Sequence, residues 1–295
     1  MLDRVEELPA LPPRGRESHK GTYGRVLLVA GSRGLTGAAI LAGLGALRGG
    51  AGLVSLAVPE PAHPLVAGAE PSYMVRPFSA GADGQFAPEA IDPVLAWAGG
   101  MSAVGVGPGC GTGAGVSDLV HRLYAEIPAP LVVDADGLNC LAGQGLAGQG
   151  LERRKATAGP RVLTPHPTEF ARLLGVSTAE VQADRPGRAA EFARRHGLVV
   201  LLKGAGSVIT DGRRVAVNPT GNPGLATGGT GDVLTGVVTA LLAQGWPAFE
   251  AAQLGAWLHG RAADLAVREL SEPGLIASDL PRWLGRAWLE LQPVA

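Results

Sequence analysis

The stretch HKGTYGRVLLVAGSRGLTGAA, His19–Ala39, joins an unbroken apolar run to a glycine-rich turn and then to small residues that open a helix. Apolar residues on consecutive positions of a strand mean that both of its faces are covered, and a helix straight after the turn supplies one cover. The same unit recurs along the chain. Arg25–Ala30, Leu53–Val58, Ala103–Val106, Leu131–Val133, Val162–Thr164 and Leu198–Leu202 read as strands, with Ala-rich or amphipathic helical stretches between them. This alternation predicts a three-layer α/β/α sandwich with a mostly parallel central sheet. Ser207–Thr210 and Arg213–Val217, split by Asp211-Gly212, read as a hairpin extending one edge.

The chain has 295 residues, 46% hydrophobic and 17% charged, with a formal charge of −1. That is an ordinary globular composition with room for a large core, and residues 1–295 are expected to form a single domain after a polar, Pro-rich lead-in at 1–18. With no basic stripe and 4% aromatic residues, neither a phosphate-backbone groove nor a base-stacking platform is expected, so nucleic acid is excluded as a partner. Cys110 and Cys140 do not form a CxxC and the six histidines fall in no HExxH, which argues against structural zinc and disulfides. The N-terminus lacks the basic-then-apolar order of a signal peptide and no segment reads as a spanning helix. A reducing cytoplasm and no membrane are expected. The Gly/Ala/Gln stretch around Leu141–Leu151 reads as a surface loop with a frayed helix.

The chemistry concentrates in NPGLATGGTGDVLTG, Asn222–Gly236. Gly228, Gly229 and Gly231 lack a Cβ, so consecutive N–H groups can close on an anion. Val233, Leu234, Val237, Val238, Leu241 and Leu242 then recur at helical spacing until Gly245 and Pro247, predicting a helix from about Val233. A helix start carries unpaired N–H groups and the positive end of the dipole, which together favour a phosphate. A carboxylate beside such a site repels the ligand unless it has a task. Asp232 can serve as general base for an attacking hydroxyl, or merely complement the helix dipole.

Four further stretches carry candidates. Gly107-Pro108-Gly109-Cys110-Gly111-Thr112-Gly113-Ala114 holds a GxGxxA after a strand, but a third of the way in rather than in the first βα unit, so a glycine wall against a substrate is favoured over a dinucleotide fingerprint. Asp134 ends a strand and is followed by Ala135-Asp136. Lys203, one of three lysines, follows an apolar strand and precedes Gly204 and Gly206, where a cation can meet a phosphate or simply reach solvent. His166, between Pro165 and Pro167, sits in a rigid turn, and Glu169 reads as either a capping acid after Thr168 or a metal organiser. Gly31, Gly34 and Gly37, with Ala38 and Ala39, admit either a flat ligand or a closely packed helix.

Taken in order, HKGTYGRVLLVAGS, GAA, VGVGPGCG, VVDADGLN, LTPHPTEF, LLKGAGSVI, NPTGNPGLATGGTGDVLTG and IASDL resemble the ADP/ATP-dependent NAD(P)H-hydrate dehydratases of the ribokinase-like superfamily, from His19 to about Asp279. The resemblance implies that the S-epimer of hydrated NADH or NADPH is phosphorylated on its ring C6 hydroxyl by ADP, with ATP as alternative donor, and then loses phosphate. It implies Asp232 as base, with Gly228, Gly229, Thr230 and Gly231 as anion hole. It assigns Lys203, Gly204, Ala205, Gly206, Ser207 and Gly231 to the nucleotide, and Ala38, Gly107, Gly109, His166 and Asp232 to the hydrated substrate. His166 and Glu169 stand where related sugar kinases carry an Asn-x-x-Glu pair that organises Mg²⁺, so Glu169 is an indirect metal residue by resemblance. The resemblance implies a homotetramer, and it implies a separate NAD(P)H-hydrate epimerase as functional partner, since the motifs begin near residue 19 where many bacterial members carry an epimerase domain before them. Leu225 replaces a methionine common in the family. The competing readings are a small-molecule kinase such as a hydroxyethylthiazole or hydroxymethylpyrimidine kinase, and a non-catalytic nucleotide-binding protein.

Overall fold

The computed structural model describes residues 2–143, 151 and 154–291. The chain runs β1 (Asp3–Arg4), β2 (Arg25–Val29), α1 (Thr36–Arg48), β3 (Leu53–Pro59), α2 (His63–Ala67), β4 (Met74–Phe78), α3 (Ile91–Ala98), β5 (Ala103–Val106), α4 (Ala114–Glu126), β6 (Leu131–Val133) and α5 (Ala135–Ala142). It continues through β7 (Arg161–Leu163), α6 (Pro167–Leu174), α7 (Thr178–Ala183), α8 (Arg185–His196), β8 (Val199–Leu202), β9 (Val208–Thr210), β10 (Arg214–Val217), α9 (Thr230–Ala243), α10 (Ala248–Leu270) and α11 (Leu280–Leu289). The six strands expected from apolar runs are all present, shifted at most by a residue at their ends.

One sheet of ten strands takes the order β1-β10-β9-β8-β7-β6-β5-β2-β3-β4. Every pairing is parallel except those of β9 with β8 and β10, the expected hairpin. Alternate residues of each strand go to opposite layers, as the pleat requires. Val26 and Leu28 join one core with α1, α9, α10 and α11, while Leu27 and Val29 join the other with α3, α4 and α8. Consecutive apolar positions therefore did mean two covered faces.

Three features depart from the sequence reading. The polar, Pro-rich lead-in takes part in the sheet: β1 adds a parallel strand outside the hairpin, and Gln253 donates to the Glu7 carbonyl. Strand β4, MVRPF, forms the opposite edge. Its burial is patchy and it contains a proline, so neither periodicity nor a continuous apolar run announces it. The third departure is α9, which starts at Thr230 rather than Val233, because Gly229 takes φ +95° as its N-cap and turns the chain into the helix three residues early. The loop expected around Leu141–Leu151 falls largely outside the described residues. Among the described residues, no helix is long and apolar enough to cross a membrane.

The chain adds β3 and β4 on one side of β2, then crosses to place β5 on the other side. Such a reversal opens a crevice beyond the carboxyl ends of the two strands. Gly31 donates to the Pro108 carbonyl and Ser32 to the Gly109 carbonyl across it, at 2.8 Å each.

Candidate active site

The carboxyl ends of β2, β5, β6, β7 and β8 bring Ala38, Gly107, Asp134, His166 and Lys203 to one edge of the sheet, where the N-terminus of α9 meets them. Helix α9 reaches that point because it packs on α1 at backbone contact. A Cβ on Gly236 would lie 2.0 Å from the Ala42 carbonyl oxygen, and one on Gly45 2.2 Å from that of Val233. Only glycine allows so close an approach.

At the start of α9, the N–H groups of Gly228, Gly229, Thr230 and Gly231 have no acceptor among the described residues. The Thr230 hydroxyl donates back to the Leu225 carbonyl, and His259 of α10, buried, lies with Nε2 2.8 Å from the Thr230 carbonyl. Burial holds the His259 imidazole down at about 4, so it is neutral and Nε2–H donates. The first turn is thus tied at its carbonyls and open at its amides.

Asp232 sits in that first turn, half-buried. Burial, followed by the charge of Asp134, pushes its carboxyl up to about 7, against the pull of Lys203. Asp134 is buried at the end of β6. One oxygen accepts from Lys203 Nζ at 2.8 Å and the other from the Thr235 hydroxyl of α9 at 2.7 Å. Burial alone would lower the Lys203 ammonium, but Asp134 and then Glu169 hold it above its ordinary value. The next residue, Ala135, takes φ +48°, uncommon for a residue with a Cβ, where the chain turns from β6 into α5.

A cavity of about 540 Å³ opens beside this cluster between the β8–β9 loop, the 218–226 segment, α9 and α10. Lys203, Gly204, Ala205, Gly206, Ser207, Thr230 and Gly231 all line it, as does His259. Asp264 of α10 shapes its wall, accepting from the Gly221 amide and the Asn222 side chain at 3.0 Å each.

Ala38, Gly107, Gly109 and His166 lie outside that cavity, at the crevice between β2 and β5 and at the end of β7. A Cβ on Gly109 would lie 2.8 Å from Ala38 Cβ, so these two are neighbours. One on Gly107 would lie 1.9 Å from the Asp134 carbonyl oxygen, so packing alone demands glycine there. Ala39, beside Ala38, is buried under Gly31, whereas Gly34 and Gly37 face open space.

His166 is the N-cap of α6. Its Nδ1 accepts from the Thr168 and Glu169 amides at 3.1 and 3.3 Å, and Glu169 Oε2 accepts from the His166 amide at 2.8 Å. The capping acid therefore answers to His166, not Thr168. Burial, then Lys203 and Arg172, lower the His166 imidazole, so its 3.4 Å approach to Glu169 Oε1 is not an ion pair at neutral pH. With Nδ1 accepting, the proton resides on Nε2.

Nothing local in the sequence marks Thr235, His259, Arg185 or Asp264 as site residues, and Asp134 shows there only as an acid at a strand end. Asp134 had a visible signal, an acid directly after a fully apolar strand. The others lie on helices, where only packing shows which side chain points at the site.

A family model described as NAD(P)H-hydrate dehydratase matches residues 26–284. The bifunctional NAD(P)H-hydrate repair enzyme Nnr of Moorella thermoacetica is 45% identical over 274 residues, 92% of this chain and 50% of that protein. The chain thus spans about half the length of that relative. The ADP-dependent (S)-NAD(P)H-hydrate dehydratase of Neisseria meningitidis is 39% identical over 280 residues, covering 92% of this chain and 88% of its own length. Among solved structures, the ADP/ATP-dependent NAD(P)H-hydrate dehydratase of Bacillus subtilis, co-crystallised with ATP and Mg²⁺, superposes with a TM-score of 0.81 at 34% identity, over 96% of this chain and 95% of that one.

Proposed function

The chain belongs to the NAD(P)H-hydrate dehydratase family, and from that premise we propose that it is an ADP-dependent hydro-lyase returning the S-epimer of hydrated NADH or NADPH to the reduced cofactor. The observation that carries the mechanism is Asp232, a carboxyl tuned to about 7 beside amides that have no acceptor among the described residues. A general base works best with a pKa near the operating pH.

In this reading the C6 hydroxyl of the hydrated ring gives its proton to Asp232 as its oxygen takes the terminal phosphoryl group of ADP, leaving AMP. The amides of Gly228 to Gly231 stabilise the charge on the moving phosphoryl group. The ring nitrogen then pushes its lone pair toward C6, the C6–O bond breaks, phosphate departs and loss of the C5 proton restores the dihydronicotinamide. The cavity lined by Lys203 to Ser207 and Gly231 takes the nucleotide. The crevice at Ala38, Gly107 and Gly109 takes the nicotinamide, and neutral His166, at the end of β7, offers it an Nε2–H donor. Asp134 holds Lys203 at the junction of the two spaces.

Mg²⁺ keeps several waters and binds through few carboxylates together with phosphate oxygens. Among the described residues no three metal-type side chains converge, and Glu169 already gives Oε2 to the His166 amide. That donor set fits an ion carried by the nucleotide and touched by Glu169 through water. When bound, it would offset charge on the phosphates.

A single domain over residues 1–295, a homotetramer, a cytoplasmic location and a functional epimerase partner belong to the same reading. The bifunctional name of the Moorella relative supports the last. The deciding experiment incubates the pure protein with hydrated NADH, Mg²⁺ and either ADP or ATP, and follows reduced-nicotinamide absorbance. Recovery with ADP is expected; no recovery with either nucleotide refutes the assignment, and accumulation of a stable phosphoester would identify a kinase instead.

A further inference from the structure

Arg185 opens α8 and reaches beneath the loop that follows β8. Its Nη1 donates to the Ala205 carbonyl at 2.7 Å, and its Nη2 to the carbonyls of Leu202 and Lys203 at 3.1 Å each. The remaining carbonyl of this run, Gly204, accepts from the Ser207 hydroxyl at 3.0 Å. Four consecutive carbonyls are therefore turned onto protein donors. In a trans peptide the N–H points opposite to the C=O, so the amides of Gly204, Ala205 and Gly206 face away from those donors, and none has an acceptor among the described residues.

Two glycines permit this arrangement. Gly204 takes φ +136° and Gly206 φ +61°, and a Cβ on Gly204 would lie 2.9 Å from Arg185 Nη2. A run of amides converging without a side chain between them is an anion cradle.

The charge of Arg185 points the same way. No carboxylate pairs with it among the described residues, its Nε is buried without a hydrogen-bond partner there, and burial lowers its pKa with no opposing acid. A cation left unpaired in a partly buried setting is costly unless an anion completes it.

We propose that Arg185 is a positioning residue for the phosphates of the nucleotide: it turns the carbonyls of Leu202, Lys203 and Ala205 away and places a positive charge behind the amides that receive the phosphate chain. This rests on the nucleotide reading of the cavity and adds to it a residue that does not line the cavity.

The test titrates ADP, inorganic pyrophosphate and adenosine into the parent, R185Q and R185K full-length proteins by calorimetry. R185Q should weaken ADP and pyrophosphate by about tenfold or more, since hydrogen bonds to charged groups and the charge itself are lost, while adenosine binds as before. R185K should fall between the two, because it keeps the charge and loses the fork. Unchanged ADP affinity in R185Q overturns the proposal, and so does equal weakening of ADP and adenosine, which would mean a damaged pocket. Should R185Q fail to fold, the same comparison in R185K decides. A parent that binds ADP in an Arg185-dependent way but restores no reduced nicotinamide refutes the dehydratase reaction and leaves this inference standing. A parent that binds neither ADP nor pyrophosphate overturns both.

Discussion

Asp232 and Asp134 are both carboxylates at the same edge of the sheet, yet they are suited to different work. Asp134 has one oxygen held by Lys203 and the other by Thr235, so its work is to hold its neighbours in place. Asp232 is half-buried, faces Asp134, Lys203, Asp136 and Glu169, and rests at about 7. Asp232→Asn should lower kcat by about two to four orders of magnitude, the usual contribution of a general base, with ADP affinity by calorimetry nearly unchanged. Retained turnover would remove Asp232 from the base role. Because the base must be ionised, kcat/KM should climb as pH rises through about 7. Asp134→Asn removes a like charge and frees Lys203 toward Asp232, so the midpoint of that limb should move to lower pH; an unmoved midpoint would mean that Asp134 does not tune the base. Stability should carry the same signature with the opposite slope. A folded-state value of about 7 against an ordinary 3.8 means that the folded protein holds the extra proton across that window, so stability falls as pH rises through it. Asp232→Asn should therefore raise the melting temperature at about pH 8 and leave it nearly unchanged at about pH 4.

The α1–α9 pair sets where these side chains stand. Its seam is made of Ala42, Gly45 and Ala46 against Val233, Gly236 and Val237, most of them wholly buried. Helix α9 owes its position to this contact more than to any side chain at the site. Gly236→Ala would drive a Cβ against the Ala42 carbonyl, a backbone atom that cannot swing aside. The expected loss is about 1–3 kcal/mol or more in urea unfolding, together with a lower kcat from displaced amides. A variant with parent stability and activity would show that the seam can yield. Arg161 does comparable work in the opposite layer. Fully buried at the start of β7, it donates to the carbonyls of Tyr124, Ile127 and Gly159 around the end of α4, and fixes how that helix leads into β6.

At the scale of the molecule, the cavity proposed for the nucleotide lies between the β8–β9 loop and the α9–α10 layer, while the crevice proposed for the nicotinamide lies across β2 and β5. Ligands seated in both would tie together elements far apart in the chain. ADP at about a hundred times its dissociation constant should add about 2.7 kcal/mol to unfolding free energy, read as a higher melting temperature. Asp232→Asn should keep that shift, since it leaves the cavity lining in place. Absence of the shift in both proteins would argue against the cavity as a nucleotide site.

The amino-acid sequence by itself determined the layers. Apolar runs covered on both faces, the helices between them, and glycines at strand ends are local patterns, and each corresponds to a local requirement of backbone or burial. The acid after the glycine loop was legible for the same reason. What only the tertiary structure decided is which distant groups share one small space: Asp134 with Lys203 and Thr235, His259 with Thr230, Arg185 beneath the β8–β9 loop. The start of α9 and the edge strands β1 and β4 were hidden for a related reason, since a glycine's sign of φ and a short strand's partner are chosen by packing. Charge tuning, too, belongs to the fold. The Asp232 carboxyl is carried up to about 7 by burial first and by Asp134 second, and neither is written in the residues beside it.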